Sequence, residues 1–403
     1  MEIRPILSAL MRSKVAMILI GMQVALTLAI VCNSLFIIHE RLIRMARPSG
    51  MNETDTFIIG SYGFGDGFNV KATADADLGL LRSLPGVVDA AMSNGMVPMG
   101  GSGWGGGLSL QPKQKTATAR TAYYMVDDHA INAYGLKLAG GRNFKPEEIS
   151  FMTMNDRKTA PVAIVTRALA QKLFPDGDAV GKVIYDDEAP TTIVGVVEAL
   201  QKPWDEDSDI EYSVLWPTHL AYGNGTSYVV RAQPGRRDEV MKMVETRLSE
   251  SNPSRIVRSM RSMEAVRARA YAGDRAMAII LGSVIVALLT ITALGIVGMA
   301  SFWVTQRTKQ IGTRRALGAT RGSIMRYFLT ENFLITTGGL LVGGVLAYAF
   351  SFWLMTHIDG AKLLPWHYVP IGFVCLWLLG QIAVLGPATR AARVPPAVAT
   401  RSV

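Results

Sequence analysis

The chain has 403 residues, of which 49% are hydrophobic and 18% charged, with two cysteines and a formal net charge of +9. That balance is too apolar for an ordinary soluble protein and points to a membrane protein. Cys32 and Cys375 lie far apart inside apolar runs, which excludes a disulfide framework and a cysteine-based zinc cluster.

Taken in chain order, four uncharged runs approach the length of about 20 residues that crosses a bilayer. Run 15–38 follows a short segment, 1–14, that ends on Arg12 and Lys14. It is too long for a signal-peptide core and no small-residue cleavage site follows it, so it reads as a retained span. Residues 39–275 form a large domain. Run 276–306 would be roughly 46 Å long as a helix against a hydrocarbon core of about 30 Å, so it extends beyond the membrane as a stalk. A basic loop, 307–331, leads to the third run, 332–356. A short loop, 357–368, joins that to the fourth, 369–389, and a tail, 390–403, closes the chain. The expected fold class is an α-helical membrane protein with four transmembrane helices and a large α+β periplasmic domain between spans 1 and 2.

Four spans place both termini on one side, and the Lys/Arg bias of short loops identifies that side as cytoplasmic. Residues 1–14, 307–326 and 390–403 carry +2, +6 and +3, whereas 39–275 holds 28 basic and 29 acidic residues. The basic excess is therefore juxtamembrane and the large domain is neutral, which excludes a nucleic-acid partner. Arg41, Arg44 and Arg47 balance the inner flank of the first span, so the orientation rests on the 307–326 stretch. The expected location is a membrane crossed four times, with both termini cytoplasmic and the large domain on the opposite side.

Inside 39–275, β-branched and aromatic runs predict strands at 57–59, 162–165, 191–197, 214–216 and 228–230. Helices are expected at 75–84, 166–174 and 236–248, each closed by a breaker or showing one apolar face. A further helical stretch, 262–274, runs into the second span with only Gly273 as an interruption.

Strings that suggest catalysis fail on context. Gly101, Gly103 and Gly106 satisfy G-x-G-x-x-G, but no predicted strand precedes them and no helix pattern follows. The stretch ending in Gly181, Lys182 and Val183 has too short a spacing for a phosphate loop and no hydroxyl for magnesium. His39 and Glu40 begin a zinc-protease string, but Ile43 stands where the second histidine is needed. The remaining histidines, 129, 219, 357 and 367, are scattered. The chain reads as a non-catalytic subunit with no metal site of its own.

The most specific segment is QRTKQIGTRRALGATRGSIMRYFLTENFLITTGGLLVGG, residues 306–344. It resembles the FtsX-like permease family of ABC transporters at Arg307, Ile311, Gly312, Arg314 to Ala319, Glu331 and Gly338 to Gly344. The stretches LRSLPGVVDA, GLKLAGGRNF, PVAIVTRALAQKLFPDGDAVGKVI and TTIVGVV are similar to the periplasmic domain of MacB-type permeases, and the tail GPATRAARVPPAVATR is similar too. The chain departs from the family at Gln310, where glutamate is usual, and at Thr313, where isoleucine is usual.

The resemblance implies a permease that binds no cofactor itself and is driven by ABC ATPase subunits that bind ATP and magnesium. MacB-type members carry a fused nucleotide-binding domain, whereas this chain starts 14 residues before its first span, so the ATPase is expected on a separate polypeptide. Residues 310–319 are either an ordinary basic loop or a coupling helix; the resemblance favours coupling. In that reading Ala316 and Leu317 are apolar anchors, Arg314 and Arg315 meet acidic residues, and Arg307, Gln310, Ile311, Gly312, Gly318 and Ala319 complete the segment. Glu331 at the membrane boundary either snorkels to water or pairs with a basic residue.

Gly339 and Gly343, flanked by Gly338 and Gly344, let another helix approach closely, with the partner helix left open. The Gly-rich loop 95–107, with Met96, Met99 and Trp104, is either an adaptable contact for substrate or adaptor, or a plain flexible loop. By resemblance the permease is a dimer, of two copies or with a paralogue, that exports by mechanotransmission. A periplasmic adaptor and an outer-membrane channel are further expected partners in a Gram-negative cell. Lipoprotein release and transmembrane signalling to cell-wall hydrolases, both within the same family, are the alternatives.

Overall fold

The computed structural model describes residues 14–154, 156, 159–204, 209–358 and 360–395. The expected inner segment before Lys14, the end of the tail from 396 and Asp359 lie outside the described residues. The chain divides into two compact units, Met1–Ala46 with Gly273–Val403, and Arg47–Ala272.

The first unit is helical. Its four apolar helices are α1 (Lys14–Met45), α7 (Ala272–Gln306), α9 (Arg321–His357) and α10 (Tyr368–Ala392), with the short α8 (Thr308–Ala316) between α7 and α9. They pack around a core that includes Val24, Leu28, Cys32, Ile296, Trp303, Phe328, Ile335, Leu340 and Leu376. Small residues set the closest crossing. A Cβ on Gly339 would fall 2.6 Å from the Gly21 carbonyl oxygen, and one on Gly343 would fall 2.8 Å from that of Ala25. The partner of the Gly339/Gly343 pair is thus α1 of the same chain, which presents its own small residues at the same four-residue spacing. Gly344 faces Val369 of α10, and nothing lies near Gly338.

Polar side chains fasten α7 to α1. Thr27 and Thr292 share a hydrogen bond of 2.8 Å, Gln23 donates to the Ile291 carbonyl at 3.1 Å, and Arg41 pairs with the buried Asp274. In a setting without water each such group has to find its partner inside the protein. The rest of α7 is largely exposed, with Ile279, Val286, Ile291, Leu294 and Phe302 presented outward.

The second unit is α+β and has two lobes. In the first, β1 (Thr56–Gly63), α2 (Val70–Ser83), β2 (Val87–Ser93), β11 (Gly225–Ala232), α5 (Arg237–Ser251) and β12 (Arg255–Ser262) form a β-α-β-β-α-β unit. Its antiparallel sheet runs in the order β12-β1-β11-β2. α2 and α5 cover one face through Leu78, Leu81, Val240, Val244 and Leu248 against Phe57, Ile59, Met92, Tyr228 and Val230. Beneath them Arg255 bonds Asp77, and Tyr228 donates to Asp77 at 2.9 Å, all three buried.

The second lobe is inserted between β2 and β11. It holds β3 (Gly105–Ser109), β4 (Ala119–Val126), α3 (Ala130–Tyr134), β5 (Leu138–Gly141), β6 (Ser150–Thr153), β7 (Val162–Thr166), α4 (Arg167–Leu173), β8 (Val183–Asp186), β9 (Ala189–Val197) and β10 (Ser213–Ala221). Strands β4-β3-β8-β9-β7-β10 close into a ring, because β10 pairs with β4 in parallel, from Ser213↔Ala122 to Pro217↔Val126, as well as with β7. Closure removes most free edges. Leu108, Tyr123, Val165, Leu169, Ile184, Ile193, Val214 and Trp216 form its core. The lobes meet at the Ser93↔Val126 pair and at Asp127. This buried carboxylate accepts from Arg82 at 3.0 Å and from the Met92 amide at 3.2 Å, and lies 3.3 Å from His219.

Each expected strand and each of the three expected internal helices is present, with longer bounds in most cases. α2 starts earlier than its apolar pattern because Asn69 caps it, its side chain accepting from the Ala72 amide. The predicted stretch 262–274 is not one helix. It breaks at Tyr271, whose φ of −94° and ψ of 16° separate α6 (Met263–Ala270) from α7, and the buried ring is held beneath Arg267.

Candidate functional site: the basic turn between α7 and α9

The most distinctive cluster lies where α7 ends and α9 begins. The chain leaves α7 at Arg307, forms α8, turns through Leu317 and Gly318, and enters α9 behind Thr320. Gly318 takes φ +98°, a left-handed conformation that favours glycine and ends α8. The Thr320 hydroxyl accepts from the Ser323 amide and caps α9. These two local signals start α9 well before Asn332, the first residue expected in the third span.

Three anchors hold α8 against the helical unit. Arg307 donates from Nη1 to both carboxylate oxygens of Glu331, at 2.9 and 3.0 Å, and its guanidinium also lies 5.9 Å from the Trp303 ring. Glu331 is 1% exposed, so the ion pair supplies the partner that this depth requires. Ile311 and Gly312 are buried, Ile311 within the same core as Ile324 and Phe328. Arg315 donates to the Ala392 carbonyl at 2.6 Å, which satisfies a carbonyl at the C-terminal end of α10 with a cation, the sign that the helix dipole favours there.

What remains outward is a compact tip. Leu317 is 83% exposed, and Lys309, Gln310, Thr313, Arg314, Ala316, Gly318 and Arg321 are exposed around it. Arg314 lies with its guanidinium 5.1 Å from the Tyr327 ring, which fixes the side chain without neutralising it. The segment therefore sorts into two groups. Arg307, Ile311, Gly312, Arg315 and Glu331 brace the tip, while Gln310, Arg314, Ala316, Leu317 and Gly318 are free to meet another surface. Ala319 is half-buried at the base.

The Gly-rich loop of the α+β domain is a correction. Met96 and Met99 are 1% and 3% exposed, so neither is an adaptable surface contact. The Met96 sulfur accepts from the Asn94 side chain and the Trp104 amide, and Gly105 to Ser109 is a strand paired with β4. The glycines that suggested a flexible loop instead allow close packing: a Cβ on Gly103 would meet Met96 and Pro203, each at 2.7 Å. Trp104 alone of the three is partly open.

Burial and charge elsewhere in the domain serve the fold. The Glu53 carboxyl is pushed up by burial but more strongly down by Arg267 and Ser49, and lies below its ordinary range. Burial beside Asp186 pushes the Tyr123 hydroxyl far up, and the two share a bond of 2.8 Å. The fold brings His129 to 2.8 Å from Asp89, a pairing that no local sequence signature announced.

Four long apolar helices, a large α+β domain between the first and second, and a basic helical turn between the second and third define the class of multi-pass membrane proteins with a large domain outside the spans. Residues 18–247 match the MacB-like periplasmic core domain and residues 282–396 match the FtsX-like permease C-terminal domain. The chain belongs to the MacB-like, FtsX-like permease family. It is 26% identical over 332 residues to the macrolide export ATP-binding/permease protein MacB of Chromobacterium violaceum, covering 79% of this chain and 49% of that protein. It is also 26% identical over 279 residues to the uncharacterized ABC transporter permease YknZ of Bacillus subtilis, covering 68% of each. The chain thus spans about half the length of the MacB relative. The periplasmic region of MacB from Actinobacillus actinomycetemcomitans covers 52% of this chain and is itself covered to 90%, at 16% identity and a TM-score of 0.33.

Proposed function

We propose that this chain is the transmembrane subunit of a MacB-type ABC exporter, in which a separate ATPase subunit binds ATP and magnesium and this chain converts its movement into a change in the periplasmic domain. The observation that carries the proposal is the exposed Leu317 set among Arg314, Lys309 and Arg321 on a braced helical turn. An apolar knob with a basic rim suits a groove with an apolar floor and acidic walls. The bracing matters equally, since a force applied at the tip passes through Arg307 into Glu331 of α9 and through Arg315 into the end of α10.

In this reading the tip, both termini and the 307–331 segment face the cytoplasm of a bacterial inner membrane, in keeping with their basic charge. A second copy or a paralogous permease completes a dimer, and a periplasmic adaptor and outer-membrane channel carry the substrate onward in a Gram-negative cell.

The test is co-purification of the detergent-solubilised chain with candidate ATPase subunits, with ATPase activity recorded. Leu317→Asp and Arg314→Glu alter the tip without touching its braces, and each is expected to release the ATPase while the permease stays folded. Arg315→Glu is a poorer probe because it also strips the end of α10. Folded wild-type protein that retains no ATPase, or full retention by both tip variants, refutes the proposal.

A further inference from the structure

The sheet of the first lobe has a second face, away from α2 and α5. Part of it is covered by α3, whose Tyr134 hydroxyl donates to Ser93 at 3.0 Å. Beyond that point the face opens into a cleft of about 460 Å³. This volume lies within the range of about 300–1,000 Å³ found for small-molecule sites.

The cleft has a floor of small residues and aromatic sides. Gly60 and Ser227 pair across β1 and β11, and Ser93 stands opposite Ser227 on β2. Tyr62 is able to lie along this floor because Gly60 and Gly225 carry no side chains: a Cβ on either would come within 2.9 Å of its ring. Arg258 stacks on Tyr62 at 4.3 Å and holds it. Trp104 and Tyr222 also line the cleft and meet edge to face at 6.2 Å, with Met96 beside them. A floor of backbone and small side chains beside aromatic walls suits a flat ring system.

Several polar groups in this cleft have no partner among the described residues, including the Ser227 hydroxyl in the floor, the buried Asn94 Oδ1 and the Arg261 guanidinium at the rim. Arg261 reaches the cleft beside a bulge in β12, where the register against β1 shifts and Ser259 adopts a left-handed φ of 61°. Bulges of this kind re-aim side chains next to binding sites. Among the described residues no acidic side chain lines the cleft, and none of them compensates the cation there.

We propose that this cleft binds a small amphipathic organic anion, with its ring system against Trp104 and Tyr222 and its acid group beside Arg261. The Ser227 hydroxyl meets a polar substituent on the ring. The site stands on the geometry of the α+β domain and does not depend on how the permease is driven. Loss of ATPase binding together with retained ligand binding would sink the coupling proposal alone.

The probe is 7-hydroxycoumarin-3-carboxylate, read by fluorescence anisotropy on the full chain in lipid nanodiscs, with empty nanodiscs subtracted. A coumarin carrying a quaternary ammonium group in place of the carboxylate serves as the cationic counterpart. Saturable binding of the carboxylate is expected, at least tenfold tighter than the cation. Arg261→Glu, at an exposed position, is expected to weaken it at least tenfold, and Ser227→Leu to abolish it by filling the floor. Thermal melting checks that both variants fold, and Arg261→Glu decides alone should Ser227→Leu be unstable. No saturable binding by wild type, unchanged affinity in Arg261→Glu, or equal binding of the cation overturns the proposal.

Discussion

Removing one member of the Arg307–Glu331 pair is expected to cost far more than removing both. Glu331 is 1% exposed, and both of its carboxylate oxygens accept from Nη1 of Arg307. Stripping one partner from a buried pair leaves an uncompensated charge, typically at a cost of about 3–5 kcal/mol. The two single variants are not equivalent. The Arg307 side chain is 16% exposed, and on losing Glu331 it keeps some contact with solvent and with the Trp303 ring, so Glu331→Leu is expected near the lower end of that range. Glu331 has no such outlet, so Arg307→Leu belongs near the upper end. In the double variant two apolar side chains meet, and replacing a whole buried pair in this way is often close to neutral. With single costs of about 3 and about 5 kcal/mol and a double near zero, the coupling energy from the double-mutant cycle approaches about 8 kcal/mol, well above the few tenths expected for independent sites. Reversible unfolding of the four proteins in mixed micelles measures it. Costs that simply add in the double variant would show that the pair carries no coupling, and would remove Glu331 from the bracing of the tip.

Gly343→Val is expected to push α9 away from α1, because its Cβ alone falls 2.8 Å from the Ala25 carbonyl oxygen. The expected loss is about 1–3 kcal/mol, while Gly338→Val, with open space around it, leaves thermal stability in detergent nearly unchanged. Asp77→Ala strands the fully buried Arg255 guanidinium and removes the acceptor of Tyr228, and is expected to destabilise the α+β domain by about 3–5 kcal/mol; a shift in melting temperature within error of wild type would contradict that role. The Glu53–Arg267 pair gives a pH dependence. The Glu53 carboxyl titrates below its ordinary value of 4.5 in the folded state, so its contribution is present above that value and fades as the pH falls through the lower folded one. Glu148, held down chiefly by Arg142, acts in the same direction. Melting curves between pH 6 and about 3 should steepen in their decline below about 4.5, and Glu53→Gln should flatten that decline.

The sequence by itself determined the four apolar helices, because runs with no charge over a bilayer's width have few other stable fates. It also determined the α+β character of the intervening domain, where β-branched runs alternate with capped amphipathic stretches. The basic turn was equally legible, since its arginines and glycines are contiguous in the chain. Tertiary structure decided how those residues divide. Ile311 and Gly312 turn inward and Leu317 outward, and Arg307 finds Glu331 24 residues away. None of these follows from spacing, because each depends on which face of α8 meets α9 and α10. The Gly339/Gly343 motif announced a close crossing but not its partner, as any helix with small residues would serve; Gly21 and Ala25 won by lying in the same chain at matching height.

Much of the α+β domain was hidden for a different reason. β12, an edge strand whose alternation is broken where Arg258 and Ser259 are both exposed, and β3, with three glycines in five residues, owe their conformation to the neighbours they pair with rather than to their own composition. The cleft beside Arg261 collects residues from β1, β2, β11, β12 and two connecting segments. Only the order in which those strands lie side by side brings them together, and strand order is set by long-range pairing that local sequence does not encode.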